Sequence, residues 1–166
     1  MTTITEGSLL WQPTPDDLAK ANLTRYMDWL RTRRGLDFSD YQRLWQWSVD
    51  DIEGFWASLW DYFDIIATAP YTAVLGKRAM PGAEWFPGAR LNYAENLLRR
   101  VTDARPAILY QAEDGPLQEI AWAELAEMAA KVAHALQNLG VESGDRVVGF
   151  LPHIPETIAA FLGAAS

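Results

Sequence analysis

The spacing of apolar residues changes near Arg105, and this change limits the fold of the chain more than any other feature of its sequence. Before Arg105, apolar and aromatic residues recur at intervals of three and four, which is the period of an amphipathic helix. After Arg105, short apolar runs flank one long amphipathic stretch, which is typical of strands separated by a helix. We therefore predict an α/β fold in which an aromatic-rich helical region, residues 1–100, precedes an incomplete α/β domain, residues 101–166.

A strong start signal opens the helical region. Thr14 can cap a helix with Pro15 at its first position, and apolar residues follow at helical spacing as far as Leu30. Arginines lie just before Gly35, where they complement the negative end of the helix dipole. We predict one continuous helix between Thr14 and Gly35, and we favour this structural role of the arginines over an anion site. The apolar residues are Ala19, Leu23, Tyr26, Met27 and Leu30, and the arginines are Arg31, Arg33 and Arg34.

Cap signals predict two more helices between residues 39 and 63. Ser39 with Gln42 has the spacing of a capping box, and Ser48 with Asp51 has the same offset. The second of these helices keeps one apolar face along its length, so we expect that face to form core, with a binding groove as the alternative. Its carboxylates match no calcium-loop spacing, so we expect them to be solvated or to start helices. The apolar face is Ile52, Phe55, Trp56, Leu59, Trp60 and Phe63, and the carboxylates are Asp50, Asp51, Glu53, Asp61 and Asp64.

Proline and glycine residues interrupt the pattern between Ala69 and Arg90, which predicts a loop and a boundary there. A short helix is expected next, because Asn92 can cap it while Glu95 reaches back to the cap. The basic pair at residues 99 and 100 is expected to end this helix.

Residues 105–140 predict a hairpin and a long helix. The apolar run 107–110 and the weaker run 117–121 are expected to pair as strands around a turn at Asp114 and Gly115. Apolar residues then recur at helical spacing up to Gly140, which is expected to end the helix. The apolar stripe of this helix is Leu125, Ala129, Val132, Leu136 and Leu139.

The last segments predict a buried strand and one more helix. Residues 147–151 form a nearly continuous apolar run, which is suited to a strand covered on both faces. A strand, a long helix and a second such strand imply a right-handed crossover in an at least partly parallel sheet. Pro155 then begins a helix, and we expect the sheet to continue with strands beyond Ser166. The predicted apolar side of this helix carries Ile158, Phe161 and Leu162.

Charge and composition exclude several classes of function. The formal net charge is -8 without a local basic stripe, so we expect no nucleic-acid partner and no anionic membrane surface. The chain has no Cys, which excludes a disulfide, a thiolate metal site and a cysteine nucleophile and suits a cytoplasmic location. Its start lacks a signal-peptide pattern, and no apolar run reaches the roughly 18 residues that cross a bilayer. We therefore expect neither export nor a membrane span.

Parts of the helical region resemble a known family. Residues 41–49 and 85–98, together with the pair Phe55 and Trp56, are similar to the amino-terminal region of acetoacetate-CoA ligases. These enzymes are adenylate-forming acyl-CoA synthetases. The resemblance therefore identifies residues 1–100 as the helical amino-terminal region of an acyl-CoA synthetase.

The second part of the chain resembles the opening of the AMP-binding, adenylating domain of the same superfamily. The similar stretches are residues 122–125, 140–147 and 151–156. The resemblance identifies residues 101–166 as a truncated start of that domain. The family usually has Thr or Ser before the aromatic residue that opens the long helix, whereas Ala121 stands there and cannot cap.

The resemblance implies that a longer parent converts acetoacetate, CoA and ATP to acetoacetyl-CoA, AMP and diphosphate. It also implies ATP, Mg²⁺ and CoA as cofactors, held by a Ser/Thr/Gly-rich loop ending in Lys, an acidic residue on the ribose and a Lys of a mobile carboxyl-terminal domain. These motifs do not occur in the sequence, so we expect the fragment to bind no cofactor and to be inactive. The implied partners are the rest of the adenylating domain and the carboxyl-terminal domain.

No residue is assigned a catalytic, cofactor-binding or metal-binding role. Residues 2–8 follow no strand and contain no Lys, and Gly140 and Gly144 mark a helix end and a turn. His134 and His153 are expected to be surface and loop residues. Two alternatives stay open: a fragment of an acetyl- or propionyl-CoA synthetase, and a non-catalytic interaction module with an exposed aromatic helix face.

Overall fold

The computed structural model describes residues 5–99, 102 and 104–166, which form two compact units, one ending at Asp64 and one beginning at Ile65. The predicted division between residues 100 and 101 concerns the domains of the parent and stays a prediction. No helix in the described ranges is both long and apolar enough to cross a membrane.

The first unit contains α1 (Pro15–Lys20), α2 (Asn22–Arg34), α3 (Tyr41–Asp50) and α4 (Ile52–Tyr62). The second contains β1 (Leu75–Lys77), β2 (Glu84–Trp85), α5 (Tyr93–Leu98), β3 (Ile108–Tyr110), β4 (Gln118–Ile120), α6 (Trp122–Asn138) and α7 (Pro155–Ala164).

The first helix signal is correct at both ends, but the predicted single helix is wrong. Thr14 Oγ1 accepts a backbone hydrogen bond of 3.2 Å, and Gly35 ends α2 in the left-handed conformation, with φ of 68°. Between these ends the backbone of Ala21 is extended and separates α1 from α2. A continuous helix would bond the Leu18 carbonyl to the amide four residues later, whereas the Thr24 hydroxyl donates to that carbonyl at 2.7 Å.

The caps of α3 and α4 differ from the predicted ones. Asp40, not Ser39, caps α3, and its Oδ1 accepts a hydrogen bond from the Arg43 amide at 3.0 Å. Asp51, not Ser48, caps α4, and Ser48 lies inside α3. Aspartate rather than serine caps both helices, because a carboxylate is an efficient cap and its negative charge is favoured at the positive end of a helix.

An aromatic core holds the first unit together. Tyr26 and Leu30 of α2 and Leu44 of α3 are buried. The rings of Tyr26 and Tyr62 meet edge to face with centroids 5.0 Å apart, which is a favoured aromatic geometry. Half-buried residues that pack against this core are Met27, Trp29, Leu36, Phe38, Trp47, Phe55, Leu59 and Tyr62.

The buried face of α4 is only part of the predicted one. Phe55 and Leu59 pack against the aromatic core, as expected. Trp56 is 39% exposed and Phe63 is 44% exposed, so the predicted face extends beyond the buried surface. The fully buried residue of α4 is Ser58, which sequence reasoning did not place in the core.

The segment predicted as a loop contains a short hairpin, so that prediction is wrong in part. β1 pairs with β2 in antiparallel register, with Leu75 opposite Trp85, and an isolated bridge joins Ala69 to Arg90. Strands of three and two residues are too short to show an alternating pattern, which explains why the sequence predicts only a loop.

α5 begins where the sequence predicts. Asn92 Oδ1 accepts a backbone hydrogen bond of 2.9 Å at the start of this helix. Of the predicted basic pair at its end, Arg99 follows α5, and Arg100 lies outside the described residues. Asn96 of the same helix binds both backbone groups of Ile66 at 2.9 Å, so α5 holds the first segment of the second unit in place.

The predicted hairpin of β3 and β4 and the predicted long helix α6 are confirmed. Ile108 lies opposite Ile120 in antiparallel register, and Gly140 follows the helix with φ of 83°. α6 and α7 cross so closely that a Cβ on Gly163 would lie 2.7 Å from the carbonyl oxygen of Ala129. The buried core of this unit is Ala94, Leu125, Ala129, Ala159 and Leu162.

The prediction of a strand at residues 147–151 is wrong for this structure. The segment has no regular secondary structure, Val148 is 91% exposed, and Phe150 is fully exposed. A strand needs a neighbour for its backbone N–H and C=O groups, and β3 and β4 pair with each other. The predicted crossover is therefore not formed, since both sheets of the described chain are antiparallel pairs. The α/β class is confirmed, because helices and small sheets occur together.

α7 begins at Pro155 as predicted but buries a different face. Leu162 is buried as expected, whereas Ile158 is 44% exposed and Phe161 is 57% exposed. The buried residues of α7 include Gly163, where the lack of a side chain lets α6 approach.

Candidate functional site

A cavity of about 500 Å³ opens in the second unit beside the ends of α6 and α7. One wall is the turn that follows α6. In this turn the Asp145 carboxylate accepts a hydrogen bond from the Glu142 amide at 2.9 Å. The Asp145 amide also donates to the Glu142 carbonyl at 3.1 Å, so two hydrogen bonds fix this wall. Leu136 and Gln137 of α6 and Asn92 before α5 are among the other residues that line the cavity.

The charges around this cavity do not fit a nucleotide. Glu142 and Asp145 line it, and no Lys or Arg does so among the described residues. The carboxyl ends of α6 and α7, which carry partial negative charge, also border it. Phosphates require cations and amide donors, so these residues do not fit the phosphates of ATP or CoA.

The two histidines lie at exposed positions, as predicted. His134 is on α6, where its Nε2 lies 3.1 Å from Asn138 Nδ2. His153 is in the loop that precedes α7. In the part of the chain that the structure describes, no three His, Asp or Glu side chains form a group that could hold a metal ion. That the chain supplies no catalytic residue stays a prediction.

The glycine positions and the amino-terminal segment have structural roles. Gly140 and Gly144 adopt φ of 83° and 104°, which suits the helix end and turn that the sequence predicts. Thr5 and Ser8 close a turn, because the Ser8 amide donates to the Thr5 carbonyl at 3.0 Å. The first members of the segment 2–8, residues 2–4, lie outside the described residues.

A buried polar pair lies in the first unit. The Tyr26 hydroxyl and Ser58 Oγ are 2.5 Å apart, and Ser58 Oγ donates to the Phe55 carbonyl at 2.7 Å. Because that second bond uses the single hydroxyl proton of Ser58, Tyr26 is the donor to Ser58. Burial raises the pKa of the Tyr26 phenol. The pair is therefore a neutral structural contact, and its sequence signal is a small polar residue within an apolar helix face.

Each unit also exposes an apolar surface. In the first unit a groove of about 220 Å³ lies between α2, α3 and α4, with Tyr41 and Trp45 at its exposed rim. In the second unit residues 147–151 are exposed, and the rings of Tyr93 and Phe161 meet with centroids 5.7 Å apart while both stay more than half exposed. Exposed apolar surfaces of this kind mark places where other protein elements pack.

Two family models match adjacent parts of the chain. Residues 41–97 match the model described as the acetyl-coenzyme A synthetase N-terminus. Residues 98–166 match the model described as AMP-binding enzyme. The two matches follow each other in the order that the sequence resemblance predicts.

Relatives match nearly the whole chain. The acetoacetyl-coenzyme A synthetase of Rhizobium meliloti (strain 1021) is 35% identical over 95% of this chain and 24% of its own length. The acetoacetyl-CoA synthetase of Xenopus tropicalis is 36% identical over 100% of this chain and 25% of its own length. The solved structure of acetoacetyl-CoA synthetase from Streptomyces lividans matches with a TM-score of 0.83 and 43% identity, over 93% of this chain and 24% of that chain. This chain thus spans about a quarter of the length of the curated relatives it matches.

Proposed function

We propose, because this chain belongs to the acetoacetyl-CoA synthetase family, that it is the amino-terminal part of an ATP-dependent acetoacetate-CoA ligase. That enzyme would first form an acyl-adenylate and diphosphate from acetoacetate and ATP, and CoA would then displace AMP. The observation that carries the proposal is the likeness to the Streptomyces lividans synthetase, at 43% identity and a TM-score of 0.83. Because a fold alone does not determine a function, the agreement in sequence as well as fold is what supports a shared reaction.

The complete enzyme would use ATP, Mg²⁺ and CoA, and we place their binding groups in the part of the parent beyond these residues. The acidic cavity of the second unit supports this placement, because Glu142 and Asp145 would repel phosphates. The lack of a Ser/Thr/Gly-rich loop ending in Lys supports it as well. In this proposal the 166-residue chain is inactive by itself.

The proposed partner of residues 147–151 is the rest of the adenylating domain. The segment contains two valines, a phenylalanine and a leucine, carries no charge and is exposed. These are the properties of a strand whose backbone can still pair with a neighbouring strand. Pairing within the parent would produce the parallel sheet that the sequence pattern predicts. The carboxyl-terminal domain is the second proposed partner, and the cytoplasm is the proposed location.

The test compares the product of the complete gene with residues 1–166 alone. With ATP, Mg²⁺, CoA and acetoacetate, we expect the complete protein to release diphosphate and form acetoacetyl-CoA, and the shorter chain to do neither. Acetate and propionate serve as matched substrates. Diphosphate release by the shorter chain would contradict its proposed inactivity, and a complete protein without activity on acetoacetate would contradict the proposed reaction.

A second candidate is an acetyl- or propionyl-CoA synthetase, which the description of the family model matching residues 41–97 favours. The same assay separates the two, since a higher kcat/KM for acetate or propionate than for acetoacetate would select this candidate.

A third candidate, a non-catalytic interaction module, is favoured by the exposed rings of Tyr41, Trp45 and Trp56. It predicts no ligase activity of the complete protein with any of the three acids.

A further inference from the structure

The methionines of the described chain differ in exposure. Met80 lies between β1 and β2 and is 95% exposed. Met27 packs against the aromatic core of the first unit, and Met128 packs against the core of the second unit. Solvent molecules therefore reach the sulfur of Met80 more easily than the sulfurs of the other two.

Accessibility of the sulfur controls how a thioether reacts with a peroxide. The O–O bond of hydrogen peroxide breaks, an S–O bond forms on the methionine sulfur, and water leaves. The sulfur is oxidised by two electrons and the peroxide is reduced by two electrons, so no further reactant is needed. Because the peroxide must touch the sulfur, burial slows this step.

We propose that Met80 is a site of reversible oxidation by peroxides, with methionine sulfoxide as the product. The new oxygen at Met80 would face solvent, so the fold should tolerate it. The same oxygen on Met27 or Met128 would place a polar group against apolar side chains, which is unfavourable without a hydrogen-bond partner. This inference does not depend on the proposed ligase activity.

The test exposes the 166-residue chain to dilute hydrogen peroxide and follows each methionine by peptide mass mapping. We expect Met80 to gain one oxygen on the order of tenfold faster than Met27 and Met128, because only the latter two pack against cores. Methionine sulfoxide reductases for both sulfoxide epimers, supplied with a dithiol, should then reduce the sulfoxide: the S–O bond breaks, water leaves, and the dithiol is oxidised to a disulfide. In urea at a concentration that unfolds the chain, the three rates should converge, because the fold provides the protection.

Met80→Leu is the matched control, since it keeps an apolar side chain of similar size but removes the sulfur. The variant should lose the fast oxidation, while Met27 and Met128 react at unchanged rates. Equal rates at the three positions without urea would overturn the proposal, as would faster reaction at Met27 or Met128. A loss of helical circular dichroism once Met80 alone is oxidised would also overturn it.

Discussion

Single side chains cap four helices of the described chain, α1, α3, α4 and α5. Thr14 and Asn92 act as caps at the predicted positions, because each is a short polar residue directly before a helical pattern. Asp40 and Asp51 act as caps in place of nearby serines, because their charge is favoured at the positive end of a helix. Ser58 has a role that spacing could not predict, since its partner is 32 residues away.

Replacement of Ser58 should destabilise the first unit more than removal of its partner hydroxyl. Ser58→Ala leaves the buried Tyr26 hydroxyl without an acceptor, at a cost of roughly 1–3 kcal/mol. Tyr26→Phe leaves Ser58 bonded to the Phe55 carbonyl and should cost about 0.5–1.5 kcal/mol. Urea unfolding followed by tryptophan fluorescence measures both variants. Equal midpoints for Ser58→Ala and the unmodified protein would contradict the proposed hydrogen bond.

At the scale of elements, local patterns predict helices and hairpins better than they predict buried faces. The β3–β4 hairpin and the extent of α6 follow from residue spacing and glycine positions. The face that α7 buries includes Ala159 and Gly163, and only its packing against α6 selects these small residues. At the break between α1 and α2, the Leu18 carbonyl accepts hydrogen bonds from the Ala21 amide and the Thr24 hydroxyl, and both contacts are local.

Gly163→Ala should destabilise the second unit through the crossing of α6 and α7. The added Cβ would lie 2.7 Å from both the Ala129 carbonyl oxygen and Val132 Cβ, so one helix must move. Such overpacking costs roughly 1–3 kcal/mol. Circular dichroism during urea unfolding measures the change. Since Ala is a better helix former than Gly by about 1 kcal/mol, a raised midpoint would show that the helices do not cross this closely.

Ala121→Thr should stabilise α6. Ala121 has the extended backbone of a cap residue but makes no side-chain cap hydrogen bond. A threonine hydroxyl at this position can accept a hydrogen bond from one of the free backbone amides of the first turn. Such a cap stabilises a protein by roughly 0.5–1.5 kcal/mol. The control is Ala130→Thr at an exposed position in the middle of α6, which should lower stability slightly because Thr is a weaker helix former. An unchanged or lowered urea midpoint for Ala121→Thr would count against this helix start.

At the scale of the whole molecule, the exposed apolar segment 147–151 is expected to promote association between copies of the chain. The segment has strand-forming residues but lies outside both sheets of the described chain. Unpaired apolar segments of this kind promote pairing between copies. We therefore expect the 166-residue chain to be poorly soluble when it is expressed alone.

Charged substitutions in this segment should raise the monomer fraction. Val148→Lys with Phe150→Lys places two like charges on side chains that are 91% exposed or more, so the fold should be unaffected. Met80→Lys is the matched control, because Met80 is 95% exposed but lies outside the segment. Sedimentation velocity should show more monomer for the double variant than for the control. Equal association of the two variants would assign self-association to another surface.

The sequence by itself determines the α/β class, most helix starts and the β3–β4 hairpin, because each of these depends on residues that are close in the chain. Only the tertiary structure decides the burial of Ser58 and the close approach at Gly163. Those features depend on contacts between elements that spacing does not encode. The segment 147–151 shows the same rule, since an apolar run becomes a strand only where a neighbouring strand is present to bond its backbone.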